Sequence, residues 1–171
     1  LLSSEQKTAL GGMLALLLGA RAPTFDLELC GKERYCAMLL RTAMCTLLKL
    51  PAEQYQALEP LSESHVNEAI DPAPFVALLP GGVAEREALL CEILVLLAAG
   101  IGAVRAGEEK GRASAEHVRV SGYDARARQL LKDAAEQLRV PWAHIAAREA
   151  LVAAEIQQFR HTQRAGGTRF G

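Results

Sequence analysis

Leucine and alanine recur three and four residues apart along most of this chain, the period of a helix with one face turned inward. The first such stretch predicts a helix from Ser4 to Ala20, with Leu10, Met13, Leu14, Leu17 and Leu18 on one side. Ser3 and Ser4, followed by Glu5 and Gln6, read as its start, and Pro23 as its stop. A loop from about Phe25 to Gly31 leads to a second helix, Lys32 to Leu48. Tyr35, Met38, Leu39, Thr42, Met44, Cys45 and Leu48 give that helix a wide buried face. Pro51 opens a short third helix carrying Tyr55 and Leu58, since proline is tolerated in a first turn.

A further short helix is predicted over Ser62 to Ile70, then a turn or helix start at Asp71-Pro72-Ala73-Pro74. Phe75 to Leu79 forms one apolar turn, and Pro80-Gly81-Gly82 breaks the chain. Val83 to Ala106 is the longest helical pattern. Its centre, Leu89 to Val104, is apolar nearly all round, which predicts a place in the middle of the domain. Gly100 and Gly102 suit the close approach of a neighbouring helix.

Gly107 to Ser121 is polar and reads as an exposed loop. Ser121 or Asp124 caps the next helix, which runs to Leu138 with Ala127, Leu130, Leu131, Ala134 and Leu138 inside. The last helix starts near Pro141 and is expected to bury Trp142, Ile145, Ala146, Leu151, Val152 and Ile156. The pattern therefore predicts an all-α fold: one compact bundle of six to eight helices over residues 1–163, with a basic, Gly-rich tail at 164–171.

Leu48-Lys49-Leu50-Pro51 matches Leu138-Arg139-Val140-Pro141 at a spacing of ninety residues. At the same spacing Ala37 matches Ala127, Leu40 matches Leu130 and Glu59 matches Glu149. Each half then reads long apolar helix, loop, amphipathic helix, proline-started helix, like two similar units packed back to back.

Composition agrees with a helical core. Half of the 171 residues are apolar but only 5% are aromatic, so leucine, alanine and valine must fill the interior. The formal charge of −1 argues against nucleic acid as a partner, since neutralising phosphates needs a basic excess. Cys30, Cys36, Cys45 and Cys91 form no Cys-x-x-Cys pair and read as small hydrophobes inside helices. The uncharged run Ile93 to Val104, twelve residues, is too short to span a bilayer, and no membrane span is expected within the chain. There is no initiator Met, and the pattern is already under way at Leu1, as in a fragment or processed product.

Candidate chemistry is sparse. There is no Gly-x-Ser-x-Gly elbow, and Gly11-Gly12 and Gly81-Gly82 lack the context of a phosphate loop. His65, His117, His144 and His161 are too far apart in sequence to form a helical zinc pair. His144, Arg148 and Glu149 read as a surface polar contact. Among the loop carboxylates Asp26, Glu28, Glu33 and Asp124, helix capping explains the positions, and Asp124 alone is retained as a candidate metal ligand. Arg126 flanks the same helix start and is expected in a buried or half-buried salt bridge holding the helix pair, with anion binding as the alternative. From Ile156 onward Arg160, His161, Arg164 and Arg169 meet no acid, the pattern either of a solvated end or of a segment drawn to anionic lipid head groups. No cofactor and no catalytic residue are assigned, so the chain itself is read as non-enzymatic.

The run Gly122-Tyr123-Asp124-Ala125-Arg126-Ala127-Arg128, with Leu130, Leu138, Val140-Pro141 and Glu149, resembles the N-terminal helical region of the transmembrane and coiled-coil domain-containing protein 4 family. Leu2 to Ala20 is similar to that region's first helix. The specific part is Gly122 to Glu149. The resemblance marks Tyr123, Asp124, Arg126, Pro141, Trp142 and Glu149 as structural or interaction residues, and Arg160, Arg164 and Arg169 as membrane-proximal. It implies a larger parent with a membrane segment following the tail and an α/β-hydrolase-like domain beyond. The helical domain would serve protein contact or regulation on the cytoplasmic side. Two alternatives stand beside it: a scaffold subunit of a larger assembly, and a metal- or ligand-binding module like the tellurite-resistance TerB-type fold, in which an acid such as Asp124 opens a helix.

Overall fold

The computed structural model describes residues 2–25, 35–63, 70–98 and 123–166, with side chains as far as 158. Every regular element among them is helical. The expectations for the Ser62–Ile70 helix beyond residue 63, for Gly100 and Gly102, and for the Gly107–Ser121 loop lie outside the described residues, as do Cys30, Asp26, Glu28 and Glu33.

α1 spans Ser4–Phe25. It starts as a reciprocal capping box: the Ser3 N–H donates to Gln6 Oε1 at 2.9 Å, and the Gln6 N–H donates to Ser3 Oγ at 3.1 Å. The helix carries on through Pro23, past the predicted end at Ala20. Every residue from Ala9 to Gly19 is buried. α1 is thus the central helix, a place predicted for the helix that begins at Val83. It is also the described helix long and apolar enough to cross a membrane, but its apolar surface is taken up inside the protein.

Two glycines permit this. A Cβ on Gly12 would come within 2.5 Å of the Phe75 ring, and one on Gly11 within 3.2 Å of Leu50 and Leu58. Gly11-Gly12 is therefore the place where neighbouring elements close on α1.

α2 (Tyr35–Arg41) continues as a π-helical turn, Thr42–Leu47. α3 (Ala52–Leu58) follows Pro51 and ends in a 3₁₀ turn, Glu59–Ser62. α4 (Ala73–Leu78) lays Phe75 on Gly12. α5 (Val83–Ala98) buries Leu89, Leu90, Ile93 and Leu94, while Val95 is 39% exposed. α6 (Ala125–Gln137) buries Ala127, Leu130, Leu131 and Ala134, and Leu138 follows them into the core, as the spacing predicts. α7 runs from Trp142 to Gly166. Ile145 and Val152 are buried, and Trp142, Ala146 and Ile156 half-buried, but Leu151, predicted inside, is 56% exposed.

The internal repeat is visible in the backbone. Lys49 and Arg139 both take a left-handed conformation, with φ of 52° and 56°. At Arg139 this closes a Schellman motif: the Val140 N–H reaches Ala135 O at 2.9 Å, and the Arg139 N–H reaches Glu136 O at 3.1 Å. At Lys49 the bond from Leu50 N–H reaches one residue further back, to Met44 O at 3.0 Å. The π turn holds one extra residue. Upstream of it the register therefore slips by one. Buried Cys36, Leu39, Leu40, Ala43 and Met44 correspond to buried Ala127, Leu130, Leu131, Ala134 and Ala135. The matches of Ala37 with Ala127 and of Leu40 with Leu130 are each one residue out.

Packing repeats as well. α1 packs on α2 and α3, as α5 packs on α6 and α7. Between the halves, α1 meets α6 and α5 meets the π turn. Thr8 on α1 donates to Gln54 on α3 at 3.2 Å, and ninety residues after Gln54, His144 on α7 meets Glu87 on α5 at 2.8 Å. Buried side chains of both halves join in one cluster.

Candidate functional site

Of the residues singled out from the sequence, Tyr123, Asp124 and Arg126 lie where α6 begins. Asp124 is extended, with φ −105° and ψ −177°, and its side chain accepts the N–H groups of Arg126 and Ala127. It is the N-cap, and its negative charge lies at the positive end of the helix. Oδ1 also accepts the Tyr35 hydroxyl at 2.9 Å, and Oδ2 takes Arg126 Nη2 at 2.8 Å and Nε at 3.0 Å. Burial pushes the Asp124 carboxyl up, but the bonds from Ala127, Arg126 and Tyr35 outweigh it and hold the group below the usual range.

Arg126 does more than pair with Asp124. Its guanidinium lies 3.6 Å above the centre of the Tyr35 ring and reaches Phe25 O at 3.4 Å. Phe25 meets the same ring edge-on at 6.2 Å. Tyr35 is fully buried, and its phenol is raised by burial and then by Asp124. The Asp124 carboxylate and the Arg126 guanidinium it holds thus join the end of α1, the start of α2 and the start of α6. The salt bridge expected of Arg126 is present and half-buried, but it closes on the cap of its own helix and not across the helix pair. Tyr35 was legible only as a core residue, because nothing local announces a partner 89 residues away.

A second group ties α6 to α7. Arg128 Nε donates to both oxygens of Glu149, at 2.7 and 3.0 Å, and its guanidinium lies 5.1 Å from the centre of the Trp142 ring. The Tyr123 hydroxyl is buried and makes no full hydrogen bond among the described residues, with the Glu149 carboxylate as its polar neighbour. Burial, then the Glu149 charge, raise its pKa, with Arg128 opposing. Pro141 is exposed, and its carbonyl accepts the His144 N–H at 3.1 Å in the first turn of α7.

Other ties were not foreseen. Arg21 grips Asp133 with two parallel bonds of 2.7 and 2.8 Å, and Gln129 donates to Asp133 at 2.8 Å, joining α1 to α6. Arg86 donates to Pro80 O at 2.6 Å and to Leu138 O at 3.1 Å, closing the C-terminal end of α6. His144 makes its polar contact with Glu87 on α5, not with Arg148 or Glu149 of its own helix. The Cys91 thiol on α5 is raised by burial and by Glu87, with Arg148 opposing.

Among the described residues no three His, Cys, Asp or Glu side chains come together as metal ligands. The oxygens of Asp124 face a phenol, a guanidinium and two N–H groups, all donors. Of the basic series, Arg160 and Arg164 fall on the backbone of α7, their side chains outside the described ones. Arg169 lies outside the described residues, as do His65 and His117. Compared with protein-family models, curated proteins and solved structures, the chain matches none.

Proposed function

We propose that this domain acts by contact: a non-catalytic helical interaction or regulatory region of a membrane-associated protein whose remainder resembles an α/β hydrolase. The observation that carries the reading is the knot around Asp124. Of the residues that bear the family resemblance, Asp124, Arg126, Arg128 and Glu149 spend their polar groups on each other, on helix ends and on tying α6 to its neighbours. That is the work of a rigid contact module.

The membrane part of the reading rests on α7 and the sequence beyond it. Among the described side chains Val152 is the last buried one, and the helix continues for fourteen more residues to Gly166. At 1.5 Å per residue this extends roughly 21 Å. The basic series Arg160, Arg164 and Arg169 belongs to that stretch and the tail after it, suited to anionic head groups.

Two measurements test this. The purified chain should sediment with phosphatidylserine-containing vesicles and remain in solution with phosphatidylcholine alone. Equal behaviour with both removes the membrane part. Incubation with p-nitrophenyl acetate should give no turnover above buffer, and turnover that survives repurification overturns the non-catalytic reading. A scaffold role in a larger assembly is the second reading, favoured by the exposure of Val95 and Leu151.

A further inference from the structure

α7 is apolar on two faces. One face, with Ile145 and Val152, packs into the core. The opposite face carries Ala147, Leu151 and Ala154, spaced four and three residues apart, and all three are exposed. Leu151 is the most exposed large hydrophobic side chain among the described residues, at 56%. Val95 of α5, the helix packed beside α7, is 39% exposed.

The first half of the chain shows how unusual this bareness is. In the ninety-residue register Leu151 corresponds to Leu61, which packs against the core. In the register that aligns Thr8–Gln54 with Glu87–His144, Val95 corresponds to Leu16, which is 2% exposed. There the 3₁₀ turn and α4 fold back over α1, with Phe75 seated on Gly12. No described element covers α5 and α7 to a like extent. Among the described residues, an equivalent surface is covered in one half and open in the other.

The charges beside the bare face indicate what covers it. Arg148 and Glu155 are exposed, seven residues apart, on the same flank of the Ala147–Leu151–Ala154 seam. Two opposite charges one heptad apart on one flank are self-complementary when the helix meets an antiparallel copy of itself. Arg148 of each copy then faces Glu155 of the other. The alanines let the two backbones approach closely around a central pair of Leu151 side chains.

We propose that this face is a homodimer interface in which α7 packs antiparallel against α7 of a second copy, with Leu151 at the centre, reciprocal Arg148–Glu155 pairs at the flanks and Val95 at the margin. The assignment goes beyond the contact role proposed above and does not depend on it.

Sedimentation equilibrium of the full chain across a concentration series tests it. The apparent mass should rise from 18.4 kDa toward twice that value as concentration increases. Leu151→Glu should remain monomeric. Arg148→Glu and Glu155→Arg should each raise the dissociation constant by at least about tenfold, because like charges then face each other twice. The two together should restore it to within about threefold of the wild type. Circular dichroism and melting curves identify variants that remain folded. A wild-type chain monomeric at every concentration overturns the proposal. So does a dimer indifferent to these substitutions, or one weakened by the single charge changes and not recovered by the double.

Discussion

Tyr35 and Asp124 stand 89 residues apart in the chain, yet the tyrosine hydroxyl donates to the aspartate Oδ1 at 2.9 Å. This bond fastens the start of α2 to the cap of α6, and so one half of the molecule to the other. Tyr35→Phe removes one donor and leaves the ring in place, at a cost of about 1 kcal/mol. Asp124→Ala removes the cap and strands a buried phenol and a half-buried guanidinium, a loss of about 3 kcal/mol. Urea unfolding should rank the two in that order. Equal midpoints would mean that Asp124 does no more than accept from Tyr35.

The same pair shapes the response to pH. The Asp124 carboxyl is lowered in the folded state, so its contribution is complete above the unfolded value near 3.8 and falls as pH drops below it. Tyr35 is raised, so its contribution is complete below the ordinary phenol value of 10.0 and is lost as pH climbs beyond it. Melting temperature plotted against pH should fall at both ends. Asp124→Asn should flatten the acid limb and Tyr35→Phe the alkaline one. An acid limb unchanged in Asp124→Asn would assign the sensitivity to other carboxylates.

Gly12 tests the central place of α1. In an exposed helix, alanine for glycine adds up to about 1 kcal/mol of stability. Here the new methyl meets the Phe75 ring at 2.5 Å, and the overpacking costs about 1–3 kcal/mol. Gly12→Ala should therefore destabilise the wild type and stabilise a Phe75→Ala background. A change of the same sign in both backgrounds would show that α4 does not sit on α1 as described.

Much of this architecture is legible from residue types alone. The inward positions of α6, the break at Pro80-Gly81-Gly82 and Asp124 as a cap all follow from local rules of period, turn and capping. What escaped depends on neighbours. α1 and α5 are both richly apolar, and composition does not say which is surrounded. What separates them is how many elements close on α1, with Phe75 over Gly12 among those contacts. Leu151 and Val152 are adjacent on a helix apolar on two faces, so the period leaves open which turns inward. Within the site, Asp124 and Arg126 were legible because their geometry is local. Tyr35, Arg21–Asp133 and Arg86 act across the fold, and no nearby residue signals them.

The π turn at Thr42–Leu47 gives the sharpest test of the repeat. If α2 is α6 with one residue added between Met44 and Leu48, removing a residue there should restore an ordinary helix ending in the Schellman motif seen at Arg139. Cys45 is exposed, so its deletion leaves the buried set Cys36, Leu39, Leu40, Ala43 and Met44 in the positions that Ala127, Leu130, Leu131, Ala134 and Ala135 hold on α6. Stability should change by less than about 1 kcal/mol. The matching deletion of exposed Glu136 has no spare residue to absorb it. It would turn the upstream face by about 100° and take Leu130 and Leu131 out of the core. Thermal unfolding should find the first variant folded and the second collapsed or unfolded. If both deletions unfold the chain alike, the extra residue is part of what holds α2 against α1, and the two halves are less alike than their caps suggest.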